Sequence, residues 1–211
     1  DGKTAATLIP PAFGMAGINL HTWTSGHGTV TYWNAYVAVT QMHGLGTFFD
    51  PRYNNPARFP VAVRTGVWNV RSPVDMVTAK LPDLHTYQLA LTAPKPPAGS
   101  FNATMAQRGR TLFTGKARCA TCHVLPIFAE PGWNSHRAEE IGIDNFQASR
   151  DAEGAYATQR LSGLWTHQKG GFYHDGRFAT MMDVVNHYDT VFKLGLTQAE
   201  KNDLVEYLKS I

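Results

Sequence analysis

The chain has 211 residues and only two cysteines, at positions 119 and 122. If both serve one local motif, no disulfide is left to hold the fold, which must then rest on packing. Long hydrophobic runs are also missing. None approaches the roughly 20 apolar residues needed to cross a bilayer. There is no lysine- or arginine-rich tract, which argues against a nucleic-acid partner. No internal repeat is visible, so repeat arrays are set aside. Net charge is +3, too small to define a partner. What remains is the composition of a folded globular chain, 43% hydrophobic and 17% charged, long enough for one good core or two small ones. The start at Asp1 rather than Met is what a processed, exported form would show.

The two cysteines fall in Cys119-Ala120-Thr121-Cys122-His123. This C-x-x-C-H spacing attaches a haem: each thiol forms a thioether to one vinyl group, and the next histidine is placed to ligate iron. A redox dithiol needs no histidine and expects a strand–helix context. A zinc site needs two more ligands at short spacing, and no second Cys or His pair supplies them. One covalent haem c is therefore expected, with Cys119, Cys122 and His123 holding it. Thiol attachment takes place outside the cytosol, so a periplasmic or otherwise extracytoplasmic location follows as an expectation. Two haem propionates would draw the charge toward neutral.

The stretch Ala93-Pro94-Lys95-Pro96-Pro97-Ala98-Gly99-Ser100 cannot hold a helix or a central strand and reads as a stiff connector. It separates an irregular N-terminal segment, 1–95, from a helical unit, 101–211. In the second part Met105, Gly109, Leu112 and Phe113 share a helix face, between an N-cap at Asn102 and a stop at Gly115. Thr197-Gln198-Ala199-Glu200 is a capping box, and Leu204, Val205, Leu208 and Ile211 form the stripe behind it. In the first part Val30 to Met42 is expected to be helical with Gly44 and Gly46 as its stop. Asp50 to Pro60 reads as a loop, and Leu81 to Leu91 as a short helix. Trp23, Tyr32, Trp33, Tyr36 and Trp68 are many large aromatics for so little visible core: exposed, they would mark an interface; buried, they are packing.

The downstream candidates for the sixth iron ligand are His136, His167, His174, Met181, Met182, His187 and Tyr188, which spacing alone does not rank. The run Gly171-Phe172-Tyr173-His174-Asp175-Gly176-Arg177-Phe178-Ala179-Thr180, followed by Asp183-Val184-Val185-Asn186-His187-Tyr188-Asp189, resembles the second haem domain of the bacterial di-haem cytochrome c peroxidase and MauG-like family. The resemblance spans about residues 81–211 with its motifs in order. It implies a mostly α, class I cytochrome c-like haem domain behind a long irregular N-terminal extension, in which two helices cross at a glycine. Gly109, Phe113 and Tyr207 suit that crossing.

The resemblance also implies a sixth ligand fourteen residues after His174, which is Tyr188, with His187 as second choice. Met181 and Met182 then read as packing residues, and His174 as a pocket residue. Arg177 is expected to pair with a propionate and Trp165 to pack on the haem. A family arginine before the HDG motif is missing, and Arg160 is the possible substitute. The family carries two haems and a calcium at the domain junction; this chain has one C-x-x-C-H, and the sequence places no calcium. His21, His27 and His43 lie where an upstream haem could have drawn a distal group, or are ordinary structural histidines.

The expected function is single-electron transfer through one six-coordinate haem, with a redox protein or an upstream haem domain as partner. The alternative is a peroxidase-like or oxygen-activating enzyme, which needs an open iron position and a nearby acid–base group.

Overall fold

The computed structural model describes residues 7–167 and 169–211. In the N-terminal part, Thr29 caps helix α1 (Val30–Tyr36), its hydroxyl accepting from the Tyr32 amide at 3.4 Å. The helix runs on as a wider π turn through Gln41, so the expected 30–42 helix is present in two windings. A small antiparallel hairpin of β1 (Thr47–Phe49) and β2 (Asn69–Arg71) pairs Phe48 with Val70. Between its strands lie the 3-10 turn Pro51–Tyr53 and helix α2 (Pro60–Thr65), and beyond it helix α3 (Leu81–Ala90). Asp50 to Pro60 is thus mainly loop. The hairpin was not expected.

Among the described residues, three α-helices build the C-terminal part: α4 (Ala103–Thr114), α5 (Met181–Phe192) and α6 (Gln198–Lys209). Asn102 caps α4 by accepting from the Met105 amide at 3.0 Å. Capping boxes at Thr180/Asp183 and Thr197/Glu200 start α5 and α6, each satisfying two backbone donors reciprocally. Helices α4 and α6 cross at Gly109, where a Cβ would lie 2.1 Å from the Asp203 carbonyl oxygen and 2.8 Å from Tyr207 Cβ. A residue without a Cβ is what permits that approach. Phe113, 1% exposed, fills the crossing and meets the Tyr207 ring edge-on at 5.2 Å. Arg108 closes the rim with a bidentate pair to Asp203 at 2.7 and 2.6 Å. Phe113, Val185, Leu196, Leu204, Tyr207 and Leu208 make the core.

The N-terminal residues wrap this core. The Leu8 amide donates to the His174 carbonyl at 2.7 Å, and the Ala157 amide to the Trp23 carbonyl at 3.0 Å. Thr24 donates to Asp151, and the Gly26 backbone lies so close that a Cβ there would collide with the Asp151 carboxylate at 1.2 Å. The Trp23 indole N–H donates to the Leu8 carbonyl at 2.6 Å. Tyr32, Trp33 and Tyr36 gather around the buried His27 ring at 6.2, 5.1 and 4.5 Å, and Trp68 sits 6.1 Å from Phe49. The aromatics weighed as interface or packing, Trp23, Tyr32, Trp33, Tyr36 and Trp68, are each half-buried. No helix among the described residues is long and apolar enough to cross a membrane.

Candidate haem site

Helix α4 ends at Gly115, and the chain turns through Arg118 in the left-handed region (φ 57°) into the 3-10 turn Cys119–Thr121. The His123 amide donates to the Cys119 carbonyl at 2.9 Å, which folds the whole C-x-x-C-H segment into one turn. A second turn follows at once. The Phe128 amide donates to the Val124 carbonyl at 2.7 Å and the Val124 amide to the Ala129 carbonyl at 3.1 Å. This returns the Phe128 carbonyl over the imidazole, and His123 Nδ1–H donates to it at 3.0 Å. With the proton held on Nδ1, Nε2 is the lone-pair nitrogen. Burial lowers the His123 pKa against the opposing effect of that hydrogen bond, so the ring is neutral and able to bind a metal.

Both thiols and His123 open into a cavity of about 240 Å³. Its walls are largely apolar: Phe113 from α4, Val185 from α5, Leu204 and Leu208 from α6, and Leu161 and Leu164 from the connecting segment. Burial pushes the Cys119 thiol up to about 11 and raises that of Cys122 as well. A redox dithiol depends on a depressed pKa, so these thiols have the wrong electrostatics for that role.

Tyr188, on α5, lines the cavity, stacked on Phe192 with rings 5.5 Å apart and nearly parallel. His187 does not line it; its Nε2–H donates to the Ile141 carbonyl at 2.9 Å. Of the two adjacent methionines, Met181 reaches the cavity wall and the core, whereas Met182 accepts a long contact from Gln198 at 3.9 Å. His174 lines the cavity at 3% exposure, stacked on Tyr156 at 5.0 Å with its Nε2 3.4 Å from that hydroxyl. Burial lowers its pKa.

Two expected haem contacts are not brought to the cavity. The Trp165 indole N–H donates to the Pro94 carbonyl at 2.9 Å, outside the lining, because the connector runs past it. Arg177 is drawn away by two carboxylates: it pairs with Asp175 at 2.8 Å and with Asp144. Arg160 is different. It lines the cavity, and its Nε–H donates to the Phe13 carbonyl, yet its buried Nη2 has no hydrogen-bond partner among the described residues. Burial pulls its pKa down to about 10. A buried cation with an unpaired nitrogen calls for an anion, and a haem propionate is the anion this pocket would bring. By that measure the residues fit the group.

The histidines of the N-terminal part stay clear of the cavity. His21 Nδ1 accepts from the Val30 amide at 3.0 Å at the start of α1, His27 lies 3.8 Å from Asp151, and His43 is exposed behind the π turn. Sequence reasoning did not single out Pro10, Pro11, Trp23, Tyr156 or Tyr173 as cavity residues. For Tyr173 a signal existed, since it stands directly beside His174 in the motif. For the others none did, because long-range backbone hydrogen bonds bring them there.

Crossed helices α4 and α6, with a C-x-x-C-H turn opening into an apolar cavity between them and α5, define a class I cytochrome c-like haem protein. The chain belongs to the cytochrome c family, whose model matches residues 106–211. The family's group is haem c. The chain is also 27% identical over 120 residues to the methylamine utilization protein MauG of Methylorubrum extorquens, covering 50% of this chain and 34% of that protein. It therefore spans about a third of that relative's length. The crystal structure of a MauG-like protein associated with microbial copper homeostasis superposes at a TM-score of 0.59 and 17% identity, covering 99% of this chain and 74% of the other. That likeness is one of fold and extends through the N-terminal part.

Proposed function

We propose that this chain is an extracytoplasmic c-type cytochrome that carries one covalent haem and transfers single electrons. The observation that supports it most is the meeting, in one apolar cavity, of the Cys119 and Cys122 thiols, a neutral His123 and the Tyr188 phenol. Haem bound there supplies an iron that cycles between ferric and ferrous states.

In this reading Cys119 and Cys122 hold the porphyrin edge, and His123 keeps its proton on Nδ1 while giving Nε2 to iron. Tyr188 would be the second protein ligand to that iron, and a phenolate ligand would stabilise the ferric state and lower the potential. His187, with Nε2 spent on Ile141, is the weaker choice. Arg160 would pair with a propionate, and His174 with Tyr156 shapes the pocket. Residues 1–95 serve as an extension over the haem-bearing unit 101–211. The electron partner is a redox protein or, in a longer chain, an upstream haem domain. The carboxylates of the Asp144–His174–Asp175 group are already paired with Arg177, so no calcium is proposed there.

The test is the ferric optical and electron paramagnetic resonance spectrum of the wild type and of Tyr188→Phe. A low-spin wild type that turns high-spin in the variant supports the reading. A wild type already high-spin and able to bind cyanide overturns it in favour of peroxide or oxygen chemistry, with His174 a buried base on the cavity wall.

A further inference from the structure

The residue before His174 is strained. Tyr173 adopts φ 70°, a left-handed backbone that aromatic side chains rarely take. The cause is a tight loop: the Phe172 amide donates to the Phe178 carbonyl at 2.8 Å, and the Gly176 amide to the Tyr173 carbonyl at 3.4 Å. The loop turns the Tyr173 side chain into the haem cavity, where its ring meets Phe178 edge-on at 4.9 Å, His187 at 5.8 Å and Tyr188 at 6.1 Å. Its hydroxyl is buried and, among the described residues, completes no hydrogen bond of good geometry, while the Tyr188 hydroxyl is the side-chain group beside it. A buried phenol O–H without an acceptor is costly, and such a group in a native pocket calls for an explanation. Phe178 has no acceptor, and His187 uses Nε2 on Ile141 and does not line the cavity. Tyr188 does line it and carries an oxygen.

We propose that Tyr173 is a positioning residue for the axial ligand, its hydroxyl donating a hydrogen bond to the Tyr188 phenolate oxygen once that oxygen binds iron. This rests on the assignment of Tyr188 as sixth ligand. The strained loop holds the donor in place before the ligand is charged. A donor on a ligating phenolate withdraws electron density from it, so Tyr173 raises the potential that Tyr188 alone would set. Outer partners of metal ligands act in this way in general, by fixing the orientation and basicity of the ligating atom.

The test is the haem-loaded protein with Tyr173→Phe, which keeps the ring and removes only the hydroxyl, read by midpoint potential and by the phenolate-to-iron charge-transfer band. The expected result is a lower potential and a band moved to lower energy, with the iron still low-spin. Replacement of Tyr173 by 3-fluorotyrosine, a stronger donor, should move both in the opposite direction, which a purely structural role would not do. Potential and band unchanged in both variants, with Tyr188→Phe still losing the low-spin signal, overturn the proposal alone. A low-spin signal that survives Tyr188→Phe but is lost in Tyr173→Phe moves the ligand to Tyr173 and overturns both assignments.

Discussion

At the residue scale, the cavity edge near the haem-binding turn holds a titrating group with a definite sign. His136 Nε2 lies 2.7 Å from Glu130 and its Nδ1 2.9 Å from Glu140, while Thr158 also donates to Glu130 at 3.0 Å. Burial works to lower the His136 pKa, but hydrogen bonds to Glu140 and Glu130 outweigh it, and the value is raised above 6.5. For Glu130 burial works upward, and bonds from Asn134, His136 and Thr158 take its pKa below 4.5. A raised histidine contributes stability that is full below its unfolded value and lost as pH climbs through the folded one. A lowered carboxylate contributes stability that is full above its unfolded value and lost as pH falls through the folded one. Both contributions are therefore complete between 4.5 and 6.5. His136→Gln should cost about 1–3 kcal/mol inside that window. The loss should shrink as pH rises above it. Thermal melts of the haem-loaded wild type and variant, within the window and again well above it, check this. A constant difference at both pH values would mean that the pair does not titrate with folding.

At the element scale, the α4–α6 crossing is the feature most sensitive to a single methyl group. Alanine at Gly109 would place Cβ against the Asp203 carbonyl, which is backbone and cannot swing aside. Gly109→Ala should therefore destabilise by about 1–3 kcal/mol or more through overpacking, despite alanine's better helix propensity. Denaturant titration decides between the two effects, and a more stable variant would mean that the helices separate at no cost. This crossing was legible in the sequence, because a periodic face, a cap at Asn102 and a capping box at Thr197 are local signals. Helix α5 carries an equivalent start at Thr180–Asp183, a local signal of the same kind. The β1–β2 hairpin left no pattern to read: three residues per strand are too few for alternation to show, and the register depends on partners as far apart as Phe49 and Asn69 or Thr47 and Arg71. The haem motif was legible for the opposite reason, since five adjacent residues carry it. Arg177 and Trp165 show what a sequence withholds: that a side chain can pair or pack is legible, but that Asp144 and Pro94 stand beside these two is not.

At the scale of the whole molecule, the question is whether residues 1–95 fold with the haem unit or beside it. Their links to it are spread over its surface. Besides Leu8, Trp23 and Thr24, Arg58 Nη2 donates to the Asp151 carbonyl at 2.9 Å, Arg52 pairs with Glu153, and Arg160 donates to the Phe13 carbonyl. Pro10, Pro11 and Trp23 are part of the cavity wall itself. The connector, by contrast, is exposed from Pro97 to Ser100 and contributes little packing. A protease site inserted between Pro97 and Ser100 and cut in the folded, haem-loaded protein should therefore leave two fragments that co-elute on gel filtration with an unchanged haem spectrum. Cutting releases chain entropy without removing a contact, and each kcal/mol lost should lower Tm by roughly 2–4 °C. Fragments that separate while the haem-bearing one keeps its spectrum would show the extension to be dispensable to the site. If they separate and the spectrum also changes, the extension completes the pocket but is held in place mainly by the covalent connection. Co-elution alone would make the cavity a product of both segments, with Trp23 and Pro11 as much a part of the haem environment as the helices that follow the motif.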